Sequence, residues 1–203
     1  MAQQRETATL GMWAFLVTEV LFFGGLFISY AVYRSSFPAA FAEASHELSV
    51  LLGGINTFVL LGSSLSMALA VHAAQEGKQK QTVRFMIVTL VCGFIFLAIK
   101  SIEYAEKFDH HLFPGTSFVY HGLEPQHAQI YFVLYFMMTG VHALHMIIGI
   151  VILIFMTVFA SRGKYTADYY QPVEIFGLYW HFVDIVWIFL YPLLYLINVH
   201  GQP

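Results

Sequence analysis

The sequence predicts an all-α integral membrane protein, a bundle of five transmembrane helices with its N-terminus cytoplasmic and its C-terminus outside. Two observations carry that expectation. Of 203 residues, 59% are hydrophobic and 10% charged, whereas a soluble domain carries about a quarter charged residues and slightly under half apolar ones. The apolar residues also gather into five long runs separated by polar or Gly/Pro-bearing stretches. A lipid-facing surface requires this shortage of charge, because ionised side chains are costly in hydrocarbon. Helices follow because an open sheet edge has no hydrogen-bond partners there.

The runs cover roughly 10–33, 48–72, 83–104, 128–159 and 173–199. Each supplies the roughly 20 residues that cross a hydrocarbon core about 30 Å thick. The fourth is long enough to tilt or project beyond it. Connections are too short to hold a second domain, so residues 1–203 are expected to form one five-helix domain. The polar segment after Met1 and the length of the first run argue against a cleavable signal. Cys92 lies inside an apolar run as a lone thiol, which excludes an internal disulfide and a thiolate cluster. A formal net charge of −3 gives no reason to expect a nucleic-acid partner.

If the spans alternate, Arg5, Lys78, Lys80, Arg84, Arg162 and Lys164 share one side, against Arg34 and Lys107 on the other. The excess of basic residues places the N-terminus and the 73–82 and 160–172 loops in the cytoplasm. Acidic and histidine residues, among them Glu43, Glu47, Glu106, His110, His111 and His121, then populate the outer loops. Small residues are expected to mediate helix packing. The candidates are Gly62, Ser66 and Ala70 at four-residue spacing and the pairs Gly24–Gly25 and Gly53–Gly54. Tyr30, Tyr33, Tyr191 and Tyr195 near span ends suggest an interfacial aromatic belt.

Polar side chains within the spans are the candidates for function. Glu19 falls near the middle of the first, where an ionisable group is a functional-site hypothesis by default; a carboxyl hydrogen-bonded to a neighbouring helix is the plainer reading. Asn56 in the second suits interhelical hydrogen bonding. His142 and His145 in the fourth share i, i+3 spacing, as do His181 and Asp184 in the fifth, and such spacing places two residues on one helix face. Three imidazoles and a carboxylate are compatible with a metal or haem site. Spacing alone favours hydrogen bonding among the imidazoles and Asp184, because no third ligand cluster accompanies them. Lys100 is expected to snorkel to the outer surface, with Glu103 and Glu106 as interfacial charges. No nucleophile elbow or phosphate loop is present.

Beyond these physical readings, the chain resembles subunit III of the haem–copper respiratory oxidases, in the short five-helix bacterial form of the cytochrome c oxidase type. The likeness runs from about residue 11 to 196. It rests on Met12-Trp13-Ala14-Phe15, Thr18-Glu19-Val20, Asn56-Thr57, His72 with Glu76-Gly77, and Glu103-Tyr104. The segments Thr139-Gly140-Val141-His142-Ala143-Leu144-His145 and Tyr179-Trp180-His181-Phe182-Val183-Asp184 follow in family order.

The resemblance implies a non-catalytic subunit of a proton-pumping, oxygen-reducing complex in a bacterial cytoplasmic membrane. Haem and copper would reside in subunits I and II, and cytochrome c would be the electron donor. This chain would hold no redox cofactor and would support the stability and proton uptake of subunit I. Phospholipid is a further expected ligand. Glu19, Asn56, His142, His145, His181 and Asp184 become lipid-associated or structural polar groups, with no catalytic or metal-binding role, and Glu19 matches the family's intramembrane glutamate.

Longer members carry two additional N-terminal helices, which with the other five form a lipid-holding cleft. Here that cleft is expected to be completed by another subunit or to open to the bilayer. Phe159 stands where the family places a basic lipid-contacting residue, with Arg162 the nearest cation in sequence. Related subunits of quinol oxidases and nitric-oxide reductases are the alternative within the family. A free-standing ion or proton transporter using Glu19 and Asp184, or a haem protein ligated by His142 and His181, are alternatives of other classes.

Overall fold

The computed structural model describes residues 2–115, 118–122 and 124–197. Six helices follow one another in the order α1 (Ala2–Ser36), α2 (Pro38–Ser45), α3 (Val50–Gln75), α4 (Gln79–Asp109), α5 (Pro125–Ser161) and α6 (Gln171–Tyr195). All except α2 are long and apolar enough to cross a membrane, which makes this a multi-pass membrane protein. α5, at 37 residues, would be about 55 Å long at about 1.5 Å per residue. It therefore exceeds the hydrocarbon thickness and must tilt or project.

Local sequence sets where the helices start and stop. α2, α5 and α6 each carry proline in their first turn, where its missing N–H costs nothing and its fixed φ suits the helix. Ser49 caps α3 by accepting a hydrogen bond from the Leu52 N–H at 3.3 Å. α3 ends where Gly77 takes φ +70° and the Lys78 N–H reaches back to the Ala73 carbonyl at 2.9 Å. α5 ends alike, with Gly163 at φ +73° and Lys164 N–H on the Phe159 carbonyl at 3.1 Å. Both are glycine C-caps of the Schellman type. α4 closes with the same hydrogen-bond pattern, but His111 occupies the left-handed position at φ 55°.

α2 was not expected from the runs. It is an alanine-rich segment of 8 residues, lodged where a loop was predicted. Phe41 anchors it, packing edge-on against Tyr30 of α1 and Tyr131 of α5.

α3 through α6 form the body of the bundle, with α3 against α4 the most extensive pair. α1 leans on α5 and α6 along one edge. Its other side leaves Leu10, Trp13, Val17, Val20 and Leu21 exposed, as a face turned to lipid or a partner chain must be.

Glycine allows close approach in the body, though not at most of the expected positions. A Cβ on Gly149 would lie 2.9 Å from the Trp180 ring, and one on Gly53 would lie 2.8 Å from Tyr191. Gly54 also faces Tyr191, but Gly24, Gly25 and Gly62 have no neighbouring helix within 4 Å of a Cβ. The expected stripe fails at Gly62 because positions four apart drift by about 40° around a helix. Ser66 and Ala70 are buried, and the Ser66 hydroxyl donates to the Phe85 carbonyl across to α4 at 2.8 Å.

The aromatic belt is likewise revised. Tyr30 and Tyr195 are core residues, with Tyr30 donating to the Leu193 carbonyl. Tyr33 is exposed.

Candidate functional site

Three groups of intramembrane polar side chains separate in space, and they differ in how they meet their hydrogen-bonding needs. The first lies in a cleft between α1, α5 and α6 with a volume of about 1180 Å³. Met12, Phe15, Ile148, Ile152 and Phe176 supply apolar wall, and Asp168 and Gln171 lie at the α6 end. Glu19 Oε2 meets His145 Nε2 at 3.1 Å in the wall of this cleft.

His145 Nδ1 sits 2.9 Å from the Val141 carbonyl one turn back. A carbonyl only accepts, so Nδ1 carries a proton. The Glu19 carboxyl then faces Nε2, the second ring nitrogen. Tyr179 donates to the His145 carbonyl at 2.9 Å, and the Phe23 ring lies 5.4 Å from the imidazole. Both groups stay partly accessible, Glu19 at 18% and His145 at 14% side-chain exposure.

The second group is sealed. Lys100 and Glu103 are buried, at 4% and 0% exposure. Lys100 Nζ donates to Glu103 Oε2 at 3.0 Å, to Tyr135 at 3.1 Å and to Tyr195 at 2.9 Å. Both phenols in turn donate hydrogen bonds to Glu103 Oε1, at 2.9 and 2.5 Å. All three ammonium donors are thus used, and the Trp187 ring lies 5.4 Å beneath the charge. The expectations that Lys100 snorkels outward and that Glu103 is an interfacial charge are both corrected. Their i, i+3 spacing turns them to one inward face, where two tyrosines from α5 and α6 complete the pair. Glu106 stays half exposed.

The third group comprises Asn56, His142 and Asp184, all buried, whose side-chain nitrogens and oxygens make no hydrogen bond to described residues. Asn56 makes no direct hydrogen bond to a described residue of another helix. The His181–Asp184 pairing is also absent, since His181 Nδ1 bonds the Ser64 hydroxyl of α3 at 2.7 Å. His142 and His145 part company too, because three residues leave the second about 60° short of a full turn. α5 has neighbours on both sides, so His145 enters the α1 cleft while His142 packs between Phe96 and Trp187. Of the six candidates, only Glu19 and His145 are brought together by a hydrogen bond.

Among the described residues, no group of three or more His, Cys, Asp or Glu side chains is arranged to hold a metal ion.

Outside the spans, Glu43, Glu47, His110, Tyr120 and His121 line a smaller pocket of about 340 Å³. Burial, then the charges of Glu43 and Glu47, push the Tyr120 phenol up to about 12. Near the end of α5, Lys164 swings back to place its ammonium 4.3 Å from the Phe159 ring. Lys164, two residues beyond Arg162, is thus the cation that stands over the Phe159 ring.

Sequence comparisons agree with this architecture. The family profile described as cytochrome c oxidase subunit III matches residues 2–199, a range containing every helix. The protein named cytochrome c oxidase subunit 3 from Synechocystis sp. is 35% identical over 189 residues, spanning 92% of this chain and 74% of the relative. Proteins of the same name are similar at 35% identity in Mus musculus and 34% in Hippopotamus amphibius, each spanning 91% of this chain and 67% of the relative. With all five long helices inside the match, the chain belongs to the cytochrome c oxidase subunit III family.

Proposed function

We propose that this chain is the non-catalytic subunit III of a proton-pumping cytochrome c oxidase, acting as a single five-helix domain in aerobic respiratory electron transport. In this reading it packs beside subunit I in a bacterial cytoplasmic membrane, with its N-terminus in the cytoplasm and its C-terminus outside. Subunits I and II carry the haem and copper, cytochrome c delivers electrons to the complex, and this chain sustains the stability and proton uptake of subunit I. Glu19, Asn56, His142, His145, His181 and Asp184 serve as lipid-associated or structural polar groups.

The cleft between α1, α5 and α6 is the observation that carries the reading. Its apolar wall suits acyl chains, its α6 end bears Asp168 and Gln171, and a single carboxyl–imidazole contact interrupts the wall. A phospholipid has that division of polar and apolar parts. The wall is lined mainly by side chains of low polarity, as small-molecule sites generally are.

The test is recovery of the chain from its native membrane in mild detergent, with its companions identified and a reduced-minus-oxidised spectrum recorded. Co-recovery with a haem- and copper-bearing subunit I, a cytochrome c-type subunit II and stoichiometric phospholipid is the expected result. A quinol-type subunit II would move the chain to the quinol-oxidase branch. Recovery alone and colourless would overturn the assignment.

A further inference from the structure

We infer that Asn56, His142 and Asp184 bind a small set of internal water molecules between α3, α4, α5 and α6, and that these waters join the three side chains into one network. The three contribute six polar side-chain atoms that are buried and make no hydrogen bond to described residues. Their exposures are 0%, 0% and 2%. Buried polar atoms in folded proteins find partners almost without exception, and leaving one unmade is costlier than the bond itself is worth.

His142 borders Trp187, and position along α3 and α6 brings Asn56 and Asp184 near the same indole. Trp187 lies 5.3 Å from the His142 ring and 4.8 Å from Phe96, which is itself 5.4 Å from His142. The Trp187 indole N–H donates at 3.1 Å to the hydroxyl of Thr57, the residue following Asn56. Asp184 precedes Trp187 by three positions on α6, close to one turn.

Nearby protein hydroxyls have other commitments. Thr57 donates to the Gly53 carbonyl at 2.9 Å while accepting from Trp187. Ser64 is 2.7 Å from His181, and its single hydroxyl, even turned to the nearby Asp184 carboxyl, can serve one of the two carboxyl oxygens and leaves the other to water. Ser63 accepts from Trp180. Water can both donate and accept, so it can serve an amide, an imidazole and a carboxyl in turn. At about three bonds per buried water, two or so would cover the six atoms.

Trp187 also separates this group from Lys100, whose ammonium faces its ring. The sealed ion pair and the hydrated group are then neighbours across one indole.

Radiolytic hydroxyl labelling of the intact complex tests the inference, because a bound water generates the radical beside the side chains it touches. Trp180 is the internal control: it is equally buried, lies two turns away on α6, and also donates its indole N–H to a hydroxyl. Labelling of Trp187 and Phe96 several-fold faster than of Trp180 is expected. Labelling no faster than that of Trp180 would overturn the inference, and would leave the three groups to pair directly through other rotamers.

Discussion

Two acid–base contacts sit within the apolar part of this chain, and they are built in opposite ways. Lys100–Glu103 is closed: every ammonium donor has a partner, two tyrosines bridge to the carboxylate, and neither side chain is more than 4% exposed. Glu19–His145 is open: it lines a cleft, each member remains partly accessible, and a single contact joins the two groups. A closed pair fixes helices relative to one another and has nothing left to offer a ligand. An open pair adds little to the fold but meets whatever enters the cleft. Charge inside a membrane protein is therefore not by itself a mark of function; unsaturated and accessible charge is the better sign.

The largest effect should come from breaking the closed pair. Lys100→Ala leaves Glu103 buried beside two phenols, and removal of one partner of a buried pair costs about 3–5 kcal/mol. Unfolding measurements and co-recovery with the oxidase should both show the loss. The double change Lys100→Met with Glu103→Leu should regain part of it, since an apolar replacement of both charges is often tolerated. A double variant worse than either single would show that the charges themselves, and not their mutual pairing, hold the helices together.

Packing comes next. Gly149→Val drives a branched side chain into Trp180, already 2.9 Å from the first carbon added, and overpacking costs about 1–3 kcal/mol. Gly62→Val, at an open position, should leave stability unchanged in the same measurement. Glu19→Gln keeps a hydrogen-bonding amide opposite His145 and should cost about 1 kcal/mol or less, the net worth of one hydrogen bond.

The exposed Glu76–Lys78 contact, at 2.8 Å in the loop between α3 and α4, gives the smallest effect. The hydrogen bond from Lys78 holds the Glu76 carboxyl below its ordinary value. Its contribution is present above the ordinary carboxyl range and is lost as pH falls through the depressed value. Lys78→Ala should return the Glu76 titration, followed by carboxyl chemical shift, towards the ordinary value with no measurable change in unfolding.

The five long helices were legible because length and composition alone decide them in a membrane. α2 was not, since eight alanine-rich residues resemble a loop when judged by apolar runs. Pro38 at its start was the available signal. Lys100 and Glu103 were misjudged for a different reason: their partners Tyr135 and Tyr195 lie far along the chain, and position near a span end suggested an interface. The same positional argument failed for Tyr30 and Tyr195. Glycine spacing singled out Gly62 but missed Gly149, because what matters is the side chain on the facing helix. The contact between Glu19 and His145 joins the first and fourth spans, and no local pattern could announce it.

On the proposed reading, the open pair serves the working oxidase while the closed pair serves the fold. The most direct measurement counts the turnovers completed before inactivation by the purified complex carrying His145→Ala, with subunit stoichiometry and initial oxygen-reduction rate recorded alongside. The expected result is an intact complex, an initial rate close to that of the unaltered enzyme, and a shortened working life. An undiminished working life with cleft lipid retained, or an immediate loss of all oxygen reduction, would contradict it.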